Sequence, residues 1–228
     1  QSQDPEHYIT YKFAHDRIRQ AAYELIPKDE KAGLHQQIGK LLLEKTDQDQ
    51  LNDFIFEIVY QLNEGSAREL SIKEQHELIR LNYLAGKKAK SSNAYQTALS
   101  YYQTALSHVD NSYENIEAEI YFGLHLESME CFYLNGDYDE MHKISETLLA
   151  KKRPVLEEIQ VKNVIIHSYI AQSKYIELLQ LAVETLKKIG IKLPLKAKDS
   201  DVLIGFARTK FLLRNKADHF FEPLPRMS

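Results

Sequence analysis

Three short stretches of this 228-residue sequence repeat one arrangement. Asn93-Ala-Tyr-Gln-Thr-Ala98, Gly136-Asp-Tyr-Asp-Glu-Met141 and Ser173-Lys-Tyr-Ile-Glu-Leu178 each set a tyrosine (Tyr95, Tyr138, Tyr175) three residues before a packing position (Ala98, Met141, Leu178). Eleven residues after each tyrosine comes a leucine: Leu106, Leu149 and Leu186. Self-similarity at this range marks an array in which each copy is a small unit that cannot bury its apolar face alone. Around the copies, apolar residues recur at three and four residues, and strand-like alternation is nearly absent. The chain is therefore expected to be all-α, an array of antiparallel helix pairs with about ten helices.

Start and stop signals divide the array. The opening stretch YKFAHDRIRQAAYELI carries an apolar stripe of Ile18, Ala21, Ala22 and Leu25, with Tyr23 at its edge. KDEKAGLHQQIGKLLLEK sets Leu34, Ile38, Leu41 and Leu42 on one face, and LNDFIFEIVYQLNEG closes on Gly65 as an expected helix C-cap. Ser71 to Glu74 has capping-box spacing and starts a helix running to about Ser92, after which Asn93 is expected to cap the next. A long helix is expected over about 113–134. Asp137 to Glu140 repeats the capping-box spacing and opens a helix that Pro154 terminates. Two more follow, over 155–172 and 174–189, the second ended by Gly190. A link, IKLPLK, leads to a last helix near 200–214 and the tail FFEPLPRMS. One marginal strand is expected near residues 8–13.

The chemistry in the sequence is sparse. No GxxxxGK[ST] or GxGxxG stretch occurs, so no nucleotide-binding loop is expected. Net charge of −4 leaves no global footprint for nucleic acid. Of nine histidines, none pairs at metal-ligand spacing: His7 and His15 are eight apart, and His125 and His142 fall on different helices. His125, Glu127 and Cys131 resemble a deaminase fragment only superficially, because no second cysteine completes it. Cys131 reads as a buried structural thiol in a reducing compartment. Lys87, Lys88 and Lys90, and Lys151-Lys152-Arg153, lie at helix C-terminal ends where the macrodipole favours cations without any ligand. The fourteen tyrosines leave open a peptide groove or plain packing. No apolar run is long enough to span a bilayer and no signal peptide opens the chain, so a cytoplasmic location without membrane insertion is expected.

His15-Asp16-Arg17 stands apart. Asp16 suits the positive end of a helix, and His15 lies one turn before the apolar stripe, where anions gather.

Two resemblances follow from these residues. Gly86, Ala98, Tyr102 and Ala105 sit at the spacing of the glycine, alanine, aromatic and second alanine of the tetratricopeptide consensus. That likeness implies close helix pairs stacked as a right-handed superhelix, degenerate because Met141 and Leu178 replace the alanine. The spacings of 43 and 37 residues also exceed the 34 of that repeat. Further, YKFAHDRIRQAAYELIP followed by GLHQQIGKLLLE resembles the end of the winged-helix region of bacterial STAND-type ATPases. LIRLNYLAGKKAKSSNAYQTALSYYQTAL, YLNGDY, LKKIGIKLP and PLPRMS continue the match almost to the last residue. Proteins of this kind join a serine/threonine kinase, a STAND ATPase, helical repeats, a GAF sensor and often a histidine kinase.

The resemblance implies a middle segment of such a signalling protein. Residues 1–48 would form the end of the winged-helix region with linking helices, and residues 49–228 the repeats. It also implies that His15 contacts nucleotide phosphates in an attached domain, with Asp16 positioning the helix. The segment itself would be non-catalytic and hold no cofactor, ATP or ADP entering only through an upstream domain. Its partners would be proteins or its own catalytic domains. The alternative is a free-standing adaptor that binds peptides in a concave groove.

Overall fold

The computed structural model describes residues 15–67, 69–109, 118–196 and 198–213, and all regular structure among them is α-helical. Ten helices follow one another: α1 (Asp16–Glu24), α2 (Lys28–Lys45), α3 (Leu51–Gly65), α4 (Ile72–Ser91), α5 (Tyr95–Ser107), α6 (Ala118–Leu134), α7 (Tyr138–Leu149), α8 (Val155–Ala171), α9 (Tyr175–Lys188) and α10 (Asp199–Leu213). The strand expected near residues 8–13, His7, the first residues of the long helix and the tail lie outside the described residues. Two compact units divide after Leu148. The boundary expected near residue 48 falls between α2 and α3, which pack on one another inside the first unit.

The repeated tyrosine motif is a helix corner. Asn93, Gly136 and Ser173 all take left-handed backbone, with φ of 59°, 80° and 58°. In each corner the next N–H reaches back five residues: Ala94 to the Ala89 carbonyl, Asp137 to Phe132, Lys174 to Tyr169. This is the Schellman closure, which satisfies carbonyls left over at a helix end. Tyr95, Tyr138 and Tyr175 are then the first residues of α5, α7 and α9. Asn93 is thus the turn residue ending α4 rather than the N-cap of α5; that cap is Ala94, which makes no side-chain bond. The asparagine tolerates left-handed backbone, and its Oδ1 accepts from the Tyr95 hydroxyl at 2.8 Å.

Two other boundaries differ from expectation. Gly65 is the last residue of α3 without left-handed backbone; a Cβ there would lie 2.8 Å from the Gln36 backbone nitrogen. Its smallness serves the close crossing of α2 and α3. Helix α7 stops at Leu149, and Pro154 is the N-cap of α8 instead. The Ser71–Glu74 capping box is present in full at the start of α4, while at α7 the Glu140 N–H donates to Asp137 at 3.2 Å.

In the first unit, α3, α4, α5 and α6 build the core. Helices α4 and α5 approach so closely that a Cβ on Gly86 would stand 2.2 Å from the Tyr102 ring. Ala89, Ala98 and Ala105 line the same seam, and Leu124 and Cys131 of α6 close it from the next pair. Tyr102 is therefore enclosed between α4 and α5, with α6 alongside. In the second unit α8 packs on α9, with Val161, Val164 and Ile165 buried. No helix among the described residues is long and apolar enough to cross a membrane.

Candidate functional site

The residues that carry chemistry elsewhere are here spent on packing. Cys131 is fully buried, and burial pushes its thiol up to about 12, so it stays protonated. Burial likewise raises the Tyr102 phenol, with the nearby Glu127 charge adding to it. Lys90 stands between Glu127 at 2.5 Å and Glu130 at 2.7 Å, tying α4 to α6. Burial opposes its charge, but those two carboxylates outweigh it and raise its pKa. The macrodipole is therefore a secondary reason for this lysine. His125 lies edge-on to Tyr121 at 4.6 Å, while Glu127 points to Lys90, so the superficial deaminase grouping is split.

The charged triplet sits on an open surface. His15 is the extended N-cap of α1 and makes no side-chain cap bond, and Asp16 pairs with Arg19 at 3.4 Å, both highly exposed. The stripe of Ile18, Ala21, Ala22 and Leu25 is not buried, Ile18 being 52% and Leu25 84% exposed. Among the described residues no helix packs extensively on α1, so this nine-residue helix has little to bury that side against. Tyr23 is what anchors α1. Its hydroxyl bonds His35 Nε2 at 2.9 Å, and the Lys31 ammonium sits 4.1 Å over its ring. His35 Nδ1 lies 2.6 Å from Gln61 Oε1, which only accepts, so the proton is on Nδ1 and Tyr23 donates to Nε2.

This relay also turns α2. Its buried residues are His35, Gln36 and Gly39, whereas Leu34 and Leu41 face outward. Neighbouring Lys40 bonds Glu74 at 2.7 Å, which with the Ser71 N–H holds that carboxyl down at about 2.

The repeat positions fall into two classes. Gly86, Ala98, Tyr102 and Ala105 meet in the first unit's core, and Met141 is fully buried on α7. Tyr95 and Tyr138 are half-buried. On α9, Leu178 is half-buried and Tyr175 is 60% exposed. Beyond it, α10 has no buried residue, although Val202, Leu203, Ile204, Phe206, Phe211 and Leu212 place apolar groups on every side of it. Exposed apolar surface of that extent is unusual on a folded chain.

One cleft brings together residues that the sequence keeps far apart. Between α3 and α4, Asn52, Leu51 and Ile55 face Leu84, Lys87 and Lys88. No local spacing signals such a grouping; only the lysines stood out.

No family model and no solved structure matches the chain. The chain is 30% identical, over 211 aligned residues, to hybrid signal transduction histidine kinase G of Dictyostelium discoideum. That alignment covers 80% of this chain but 6% of the relative, so the chain spans a small part of that protein's length. The likeness sets the chain in a signal-transduction context.

Proposed function

We propose that this chain is a non-catalytic, degenerate tetratricopeptide-like segment of a signal-transduction ATPase or kinase. It relays binding of a ligand or partner to attached catalytic domains. The observation that carries this reading is α10, a helix with many exposed apolar side chains and no residue buried. Such a helix is stable in a working protein only when another surface covers it. Likeness to a histidine kinase of which this chain matches a small part supports the same reading.

The partner of α10 is protein, either the attached catalytic domains or a separate chain, in the cytoplasm. The segment contributes no cofactor and no catalytic group of its own. At the other end, His15 on exposed α1 meets the nucleotide held by an attached domain, with Asp16 positioning the helix. Occupation of the helical surface biases two states of the attached machinery, the differential contacts setting the size of the bias.

The test uses the intact protein carrying Leu203→Ser and Phe206→Ser. Basal kinase or ATPase output should change, and cross-links from α10 to its partner should vanish. Unaltered output together with unaltered cross-links removes the proposal.

A further inference from the structure

Lys87 and Lys88 need no ligand as far as the helix dipole goes, but the fold gives them a second setting. They line the α3–α4 cleft, an open depression of about 400 Å3. Ligand pockets run from roughly 300 to 1,000 Å3, so the space suits a small molecule. Its floor is apolar: Ile55 is buried, and Leu51 and Leu84 are half-buried. Around that floor stand the polar residues Gln48, Asn52, Lys87, Lys88 and Ser91. None of the residues lining it is a carboxylate.

Lys88 is already fixed for this role. Its Nζ donates to the Asn52 carbonyl, approaches the Asp53 carbonyl at 3.5 Å, and lies 5.0 Å over the Phe56 ring. An ammonium has three protons, so two carbonyl contacts leave one for a ligand. Holding the cation in place beforehand removes most of the ordering that binding would otherwise require. Lys87 also lines the cleft; its ammonium rests 5.5 Å from the Tyr83 ring beside it and is exposed, so a second cation is within reach of a ligand head. A fixed cation above an apolar floor, with no anion lining the cleft, matches one chemistry: an anionic head on an apolar body.

We propose that the α3–α4 cleft binds a small amphipathic carboxylate. The head is hydrogen-bonded by Lys88 and Lys87, and the body rests on Leu51, Ile55 and Leu84. The site lies within the first unit and does not depend on what covers α10.

The experiment titrates the full 228-residue chain with decanoate, decan-1-ol and decylammonium, each below its aggregation concentration, by calorimetry and amide NMR. The tail is the same in all three, so only the head differs. Decanoate should bind and shift amides in the first turn of α3 and the last turn of α4. Decan-1-ol should bind about tenfold more weakly, as expected for loss of a charge-assisted bond, and decylammonium not at all. Lys87→Glu should weaken decanoate about tenfold, and Asn52→Trp, which fills the mouth from an exposed position, should abolish it. Circular dichroism identifies which of the two variants keeps its helices, and either one suffices. Equal binding of decylammonium overturns the proposal. So do decanoate shifts confined to α10, or undiminished affinity in a folded variant.

Discussion

The α4–α5 and α8–α9 hairpins turn the same corner and then diverge. Asn93 and Ser173 share a left-handed φ and the same reach-back hydrogen bond, so the two corners are equivalent in backbone. Past the corner, α4 and α5 present Gly86, Ala89, Ala98 and Ala105, and the helices close until Tyr102 is sealed between them. Helices α8 and α9 present Leu178 and Lys162 instead. The buried Lys162 ammonium reaches Glu184 at 2.8 Å and Glu158 at 3.1 Å, so charges occupy space that small apolar residues leave free in the first hairpin. Burial opposes the Lys162 charge, and its two carboxylates outweigh that and raise its pKa. A helix corner is a local property, whereas the seam behind it depends on side-chain volume.

Four substitutions test that contrast, with urea unfolding for stability and hydrogen exchange to read each hairpin separately. Tyr102→Ala should have the largest effect, about 4 kcal/mol, because it empties a fully buried aromatic site. Protection should fall across α4–α6 and stay unchanged in α8–α9; equal loss in both would show that the two seams are one. Gly86→Ala should cost about 2 kcal/mol, since the added methyl must displace the Tyr102 ring. A cost near zero would mean the α4–α5 seam is not tight.

Glu74→Gln should cost about 1 kcal/mol at neutral pH by weakening the capping box and the Lys40 pair. The folded carboxyl titrates at about 2, below its ordinary 4.5. A depressed folded pKa means its stabilisation is complete above 4.5 and fades as pH falls through that range toward 2. The difference between wild type and variant should therefore shrink over that window; a difference constant from pH 7 to pH 2.5 would contradict the pairing. The smallest effect is a gain. Ser173→Gly should stabilise the α8–α9 corner by about 0.5–1 kcal/mol, because glycine takes φ of 58° without Cβ strain. A loss instead would mean the serine side chain holds that corner.

The helix count, the Ser71 start of α4 and a turn before each repeated tyrosine were legible in the residues. They do not show that Asn93 is the left-handed turn ending α4 rather than the cap of α5. The small residues Gly86, Ala98 and Ala105 signalled a close helix pair, but not that the Tyr102 ring would lie against Gly86. The apolar stripe of α1 was also legible, but its fate was not, since periodicity shows that a face is apolar without showing what lies across it. Helix α2 misled for a related reason. Leu34 and Leu41 of the expected stripe face outward, and the face that packs on α3 joins Leu42 and Leu43 to His35, Gln36 and Gly39. A polar relay from Tyr23 through His35 to Gln61 compensates for that burial, and its last partner is 26 residues away from the histidine. The candidate cleft was legible only as two lysines.

The Ser71 cap and the left-handed corners are local, because they are hydrogen bonds that close within five residues. Which faces then meet is a matter of tertiary pairing. Lys88 finds the Asn52 carbonyl 36 residues earlier in the chain, and Lys90 finds Glu127 and Glu130 37 and 40 residues ahead. Those partners are selected by how closely two helices can approach, which depends on the volumes of all the side chains between them.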